Sequence, residues 1–327
     1  MTKVLINGKS IKLFTLSANK ELAEEISQQS KIPLSVVEVV KFADGEMTIN
    51  IEESVRGQHV FIVQPTSAPA NDHLMEVLIL ADALKRASAA SIAVIMPYFG
   101  YSRQDRKSRS RQPITAKLVA NLLQVSGVNR VASMDLHAAQ IQGFFDIPID
   151  NFPAGSLLAN YFKRKNLEDI VIVSPDHGGV SRARRFAERM GAPLAIIDKR
   201  RPEPNQAQVM NIIGDIKGKT CIMVDDIIDT AGTLTAGAEA LKEAGAKEVY
   251  ATATHAVFSK DATTRIQDSC LKEVVVTNTI KLPASKKVAK ITQVSVGPLL
   301  GEAILHIVHD QSISDIFNEA EGLLKIL

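Results

Sequence analysis

Cysteine is scarce in this chain: Cys221 and Cys270 are the only two in 327 residues. They lie apart and have no His or Cys neighbours at zinc-ligand spacing, so no zinc site is expected and a reducing cytosol is the expected setting. An excess of one charge is missing as well. Thirty-eight Lys and Arg face 36 Asp and Glu, leaving +2 and a pI near 8.4. That balance removes the electrostatic case for a general nucleic-acid binder. No apolar run approaches the ~20 residues of a membrane span, and the stretch from Leu74 to Leu84 is broken by Glu76 and Asp82. The opening MTKVLINGKS carries no apolar segment of a secretory signal. No G-x-G-x-x-G occurs. Gly218-Lys219-Thr220 hints at a Walker A loop, but Gly214 is one residue too close and the segment precedes a strand instead of leaving one. What the chain does have is 46% hydrophobic and 23% charged residues, enough for ordinary cores in about two domains.

The chain is organised around CIMVDDIIDTAGTL, residues 221–234. Cys221, Ile222, Met223 and Val224 form the continuous apolar run of a strand covered on both faces. Asp225 and Asp226 are expected at its carboxyl end, followed by Ile227, Ile228 and the small-residue turn Asp229-Thr230-Ala231-Gly232-Thr233. A helical pattern then runs to Ala244, and Gly245 supplies the stop. Strand, loop and helix in this order present backbone N–H groups to a phosphate. Carboxylates repel phosphate, so the acids suit sugar hydroxyls or a divalent cation beside it. The combination suggests a sugar phosphate. Taken alone, the stretch reads equally well as a strand end with solvated aspartates.

The same unit occurs twice. Pro33-Leu34 and Pro193-Leu194 each precede an apolar strand; Val63 and Val224 close the next strand; Leu84 and Leu241 sit in matching helices, and the three spacings agree within four residues. Alternating strands and helices in each half predict two α/β domains, 1–150 and 151–327, each a mainly parallel sheet flanked by helices. The segment from about 301 is mostly helical in pattern and is free to pack on the N-terminal domain. The halves differ in chemistry. Where the second has Asp225, Asp226 and Asp229, the first has Gln64, Pro65 and Ala68, so only the second is expected to bind a sugar phosphate in this way.

Several other stretches carry chemistry. Asp44-Gly45 is a hairpin signal; the alternative sets Phe42, Asp44 and Glu46 against a nucleobase. Residues 98–112, YFGYSRQDRKSRSRQ, place Arg103, Arg106, Lys107, Arg109 and Arg111 among serines with one acid, Asp105. Lacking apolar periodicity, this is a loop, and five cations between rigid elements suit a lid over a polyphosphate. Asp135 and His137 share a face if the chain there is still extended, and Mg²⁺ takes oxygen ligands foremost. Asp176 ends a second strand–loop–helix unit, where open α/β sheets place ligands. Arg182, Arg184, Arg185 and Arg189 are expected on a solvated helix face. Lys199-Arg200-Arg201 reads either as a clamp on developing phosphoryl charge or as a surface cluster.

In order, FADGE, YSRQDRK, PITAKLVA, DLHAAQIQGFFDIPID, SPDHGGVSRAR, DKRRP and VDDIIDTAGT resemble the ribose-phosphate pyrophosphokinase family along nearly the whole chain. VDDIIDTAGT alone is similar to the type I phosphoribosyltransferase signature; the RQDR loop and the DLH…IQGFF block are not shared by ordinary phosphoribosyltransferases. The resemblance implies two duplicated phosphoribosyltransferase-type domains, the first with a degenerate ribose-phosphate loop. It implies transfer of the diphosphoryl group of ATP to the C1 hydroxyl of ribose 5-phosphate with Mg²⁺, giving phosphoribosyl pyrophosphate and AMP. By resemblance Lys199 and Arg201 are the catalytic cations. Phe42, Asp44, Gly45, Glu46, Arg103, Gln104 and Asp105 belong to ATP. Arg201, Asp225, Asp226, Asp229, Thr230, Ala231, Gly232 and Thr233 belong to ribose 5-phosphate, and His137, Asp176 and Asp135 to metal. Ala231 stands where some relatives carry Gly, and no loss is expected from it. The family also implies a cytoplasmic homo-oligomer, commonly a hexamer, with ADP and phosphate as effectors and no nucleic acid or membrane partner. Two rivals remain: a phosphoribosyltransferase, which would consume the proposed product, and a non-catalytic regulatory subunit, in which damaged motifs would be expected.

Overall fold

The structure, a computed structural model, describes residues 4–200, 209–314 and 316, and of 199, 200, 209 and 210 only the backbone. The described chain divides into two compact units. The first takes the chain up to Pro153, Thr279–Lys281 and the chain from Ser295; the second takes Ala154–Asn278 and Leu282–Val294.

The first unit contains β1 (Val4–Ile6), β2 (Lys9–Thr15), α1 (Lys20–Ser30), β3 (Val37–Lys41), β4 (Met47–Ile51), β5 (His59–Val63), α2 (Ala70–Arg86), β6 (Ser91–Met96), α3 (Thr115–Ser126), β7 (Arg130–Met134) and β8 (Ile149–Phe152). Its main sheet runs in the order β1-β2-β5-β6-β7-β8, parallel except for the β1 edge. β3 and β4 form a separate antiparallel hairpin. β5 and β6 are buried along nearly their whole length, which is why they read as unbroken apolar runs and not as alternating ones.

The second unit contains α4 (Gly155–Arg164), β9 (Ile170–Ser174), α5 (Val180–Met190), β10 (Leu194–Arg200), β11 (Val209–Ile213), β12 (Thr220–Ile228), α6 (Gly232–Glu243), β13 (Glu248–Ala256), α7 (Ala262–Asp268), β14 (Glu273–Thr277) and β15 (Ile291–Val294). Its sheet is ordered β11-β10-β9-β12-β13-β14-β15. The run β9-β12-β13-β14-β15 repeats β2-β5-β6-β7-β8 strand for strand, so the duplication legible in the sequence is a duplication of topology. The departure is the hairpin: β10 and β11 join the sheet beside β9, whereas β3 and β4 stand apart.

Helix α8 (Gly297–Val308) belongs to the first unit and packs on α1. The approach is close. A Cβ on Gly301 would lie 3.1 Å from the Ile26 carbonyl oxygen and 2.6 Å from Gln29 Cβ, so only glycine permits this crossing. α1 itself starts on Asn19, whose side chain accepts the Leu22 N–H at 3.2 Å, and buries Leu22, Ala23 and Ile26.

Candidate active site

In the second unit β9 has β10 on one side and β12 on the other. The chain crosses through α5 towards β10 and through α6 towards β13, in opposite directions. Ligand crevices of open α/β sheets lie at such a reversal, beyond the carboxyl ends of the strands. The register opens it further. β9 pairs with β12 only from Thr220 to Met223, while β13 stays paired with β12 as far as Ile228. The sequence places the strand end at Val224; the β13 ladder carries it four residues on, so Asp225 and Asp226 lie within β12. Beyond Met223 the β9-side edge of β12 has no strand partner among the described residues.

Asp225 is about one-third exposed and Asp226 is buried. Arg182, in the first turn of α5, reaches both. Its Nη1 lies 3.2 Å from Asp225 Oδ1 and 3.1 Å from Asp226 Oδ1. Arg182 thus leaves the solvated face expected for it, while Arg184 and Arg185 are exposed. The reason is an unpaired need: two adjacent carboxylates, one buried, require a cation. The Asp226 N–H donates to Asp225 Oδ1 at 2.8 Å. Burial first, and the neighbouring Asp226 next, push the Asp225 carboxyl up to about 7, with Arg182 opposing them.

The turn after β12 is tightly formed. Ile228 and Asp229 accept backbone hydrogen bonds from Phe258 and Ser259 at 3.1 and 2.9 Å. Ala231 adopts φ +60°, and α6 begins at Gly232 with no side-chain cap, so Asp229, Thr230, Ala231, Gly232 and Thr233 lead into free helix-start N–H groups. A Cβ on Gly232 would lie 3.3 Å from Arg265 Nη1, which puts a cation that the sequence did not single out beside this turn.

Beyond β9, Asp176 is exposed and accepts the Gly179 N–H on Oδ1 at 2.9 Å. His177 Nε2 lies 2.8 Å from Oδ1 of Asp198, which is buried. Asp198 precedes Lys199 on β10, and β10 continues to Arg200 through pairing with β11. The Lys199 side chain and the whole of Arg201 lie outside the described residues.

In the first unit the position between β2 and β5 matches the crevice between β9 and β12. It is filled. Gln64 Nε2 donates to Glu76 Oε2 at 2.8 Å, Gln64 Oε1 accepts the Ala18 N–H at 3.1 Å, and the Ser17 hydroxyl and N–H donate to Glu76 at 2.6 and 3.1 Å. The Arg-rich loop is tied at its base: Gln140 Nε2 donates to Asp105 Oδ2 at 2.5 Å, Thr115 Oγ1 donates to Gln104 Oε1 at 2.5 Å, and Tyr101 donates to Asn71. Asp105 is buried there, while Arg103 is exposed. Phe42, Asp44, Gly45 and Glu46 form the exposed tip of the β3–β4 hairpin, with Gly45 at φ +94°; the hairpin reading of Asp44-Gly45 holds. β7 ends at Met134 and Asp135 takes φ +33°, so Asp135 and His137 do not share a strand face as an extended chain would have allowed. Among the described residues no group of three or more His, Cys, Asp or Glu could hold a metal, and no helix is long and apolar enough to cross a membrane.

Two units of one topology, with an acid-bearing strand and small-residue helix start at one switch point, define a phosphoribosyltransferase-type α/β enzyme. The comparisons narrow the class. Residues 11–127 match the family model for the N-terminal domain of ribose phosphate pyrophosphokinase, and residues 199–318 match that of the phosphoribosyl synthetase-associated domain. The chain is 60% identical over 310 residues to a ribose-phosphate pyrophosphokinase of Bacillus subtilis (strain 168), covering 95% of this chain and 98% of that protein. It is 59% identical over 311 residues to one of Corynebacterium ammoniagenes, with the same coverage. The crystal structure of phosphoribosylpyrophosphate synthetase from Mycobacterium smegmatis superimposes with a TM-score of 0.89 at 42% identity, covering 92% of this chain and 100% of that one. The chain belongs to the ribose-phosphate pyrophosphokinase family, and it is an enzyme of the transferase class.

Proposed function

We propose that the chain transfers the diphosphoryl group of ATP to ribose 5-phosphate. The C1 hydroxyl oxygen attacks the β-phosphorus, its proton is lost, the bond from the β-phosphorus to the bridging oxygen of the α-phosphate breaks, and AMP leaves. The observation that supports this most is the contrast between two crevices of one topology. One offers Asp225 and an uncapped helix start; the other is closed by Gln64 and Glu76. In this reading Asp225 and Asp226 accept pentose hydroxyls, and residues 229–233 cradle the 5-phosphate. Lys199 and Arg201 stabilise charge on the transferred group, with Arg201 also at the ribose 5-phosphate. Phe42, Asp44, Gly45, Glu46, Arg103 and Gln104 contact ATP; the burial of Asp105 against Gln140 suits it to holding that loop.

Mg²⁺ fits the donors present. Asp176 is exposed, and of its two carboxylate oxygens only Oδ1 takes a hydrogen bond among the described residues. Mg²⁺ commonly keeps its waters and binds through one or two carboxylates plus substrate phosphates, without a protein cage. In the second unit Asp176 would hold it, Asp135 and His137 are the candidate ligands of the first unit, and the ion would neutralise charge on the ATP phosphates. The reading includes a cytoplasmic homo-oligomer, a hexamer by analogy with the family, with ADP and phosphate as effectors.

The test is incubation with ATP and Mg²⁺, with and without ribose 5-phosphate. AMP release that depends on the sugar phosphate is the expected result. AMP release without it, or consumption of phosphoribosyl pyrophosphate by a base with no synthesis, overturns the proposal.

A further inference from the structure

Arg182 is placed against a local rule. A cation in the first turn of a helix faces the positive end of the helix dipole, which disfavours it there. The Asp225–Asp226 pair offsets that cost, and the way Arg182 meets the pair is selective. Its Nη1 touches Oδ1 of each acid, and the Asp226 N–H takes the same Asp225 oxygen at 2.8 Å. Two donors therefore converge on Asp225 Oδ1. Both of these donors leave Oδ2 aside, and the side chain is about one-third exposed. A carboxylate fixed through one oxygen presents the other in a set direction, which reduces the ordering cost of accepting a ligand hydroxyl.

We propose that Arg182 is a positioning residue of the pentose cradle: by holding Oδ1 of Asp225 and Asp226 it aims Asp225 Oδ2 at a pentose hydroxyl. The inference rests on the reading of residues 225–233 as the ribose 5-phosphate site. It assigns Arg182 no contact with the diphosphoryl group, and this distinguishes it from Lys199 and Arg201. Because a single nitrogen makes both contacts, a point charge can replace it.

The experiment compares Arg182→Met, Arg182→Lys and Asp225→Ala in the full-length enzyme, with KM measured separately for ribose 5-phosphate and ATP. Losing the charged hydrogen bonds that fix Asp225 is expected to raise the ribose 5-phosphate KM of Arg182→Met about tenfold or more. Its kcat and ATP KM should stay within about twofold, and Arg182→Lys should recover most of the loss. Unchanged ribose 5-phosphate KM in Arg182→Met, a fall in kcat alone, or a Lys variant as poor as Met overturns the inference. Should Arg182→Met fail to fold, Arg182→Met in an Asp225→Asn background carries less uncompensated charge: no loss beyond Asp225→Asn alone supports the proposal, and a further loss of ribose 5-phosphate affinity overturns it. Asp225→Ala separates the two levels. If it leaves ribose 5-phosphate binding intact, the site reading itself fails; if it weakens binding while Arg182→Met does not, only the role of Arg182 fails.

Discussion

Gln64 and Glu76 are hydrogen-bonded at 2.8 Å in the first unit, at the strand end that corresponds to the Asp225 end of β12. Gln64 is fully buried and also serves the Ala18 N–H. Gln64→Asp would set one buried carboxylate against another and remove the amide donor. We expect it to destabilise the protein by about 2–4 kcal/mol and to create no second ribose 5-phosphate site. Thermal unfolding together with ligand titration checks this; a stable variant that gains a site contradicts it.

Asp225 gives a pH signature. Its carboxyl is raised to about 7 by burial and by Asp226, from the ordinary value near 3.9. A raised carboxyl favours the folded state at low pH, and that contribution is lost as pH climbs from about 4 through about 7. Asp225→Asn removes the penalty on the charged form. It should therefore be more stable than the parent at pH 8, by about 2 kcal/mol after allowing for partial exposure, with the difference vanishing below pH 4. Unfolding midpoints across that range check the sign; a difference independent of pH would contradict it.

Ala231 adopts φ +60° at the start of α6. The left-handed region costs a non-glycine residue roughly 1–2 kcal/mol. Ala231→Gly should stabilise by about 1 kcal/mol, and Ala231→Val should destabilise by about 2 kcal/mol or more, since a β-branched side chain fits that region worst. Denaturant unfolding of both variants measures these changes.

Lys199→Ala should lower kcat about 10²- to 10³-fold, as expected for loss of one donor to developing charge, with both KM values nearly kept. Steady-state kinetics decide, and near-normal turnover would remove Lys199 from the chemistry.

Much of the fold was legible because buried parallel strands announce themselves. α6 lies where helical periodicity and Gly245 place it, and the paired prolines and strand-end valines disclosed the repeated topology. The errors have a common cause. Strand ends depend on partners that local sequence does not name: β12 outruns its apolar stretch because β13 accompanies it, and β10 runs on through Lys199 and Arg200 because β11 pairs with them. Arg182 was missed for the same reason. Its periodicity says surface, but the acids it serves begin 43 residues away. A cation in a first helical turn was the available signal. The filling of the first crevice was half visible, since Gln64 stood where an acid was wanted, but the contribution of Glu76 from α2 required the fold.

The central claim is that one crevice of two takes a pentose phosphate. Calorimetric titration of ribose 5-phosphate into the enzyme with Mg²⁺ and a non-hydrolysable ATP analogue measures it directly. We expect one site per chain, abolished by Asp225→Ala. Two sites per chain, or one that survives Asp225→Ala, would contradict it.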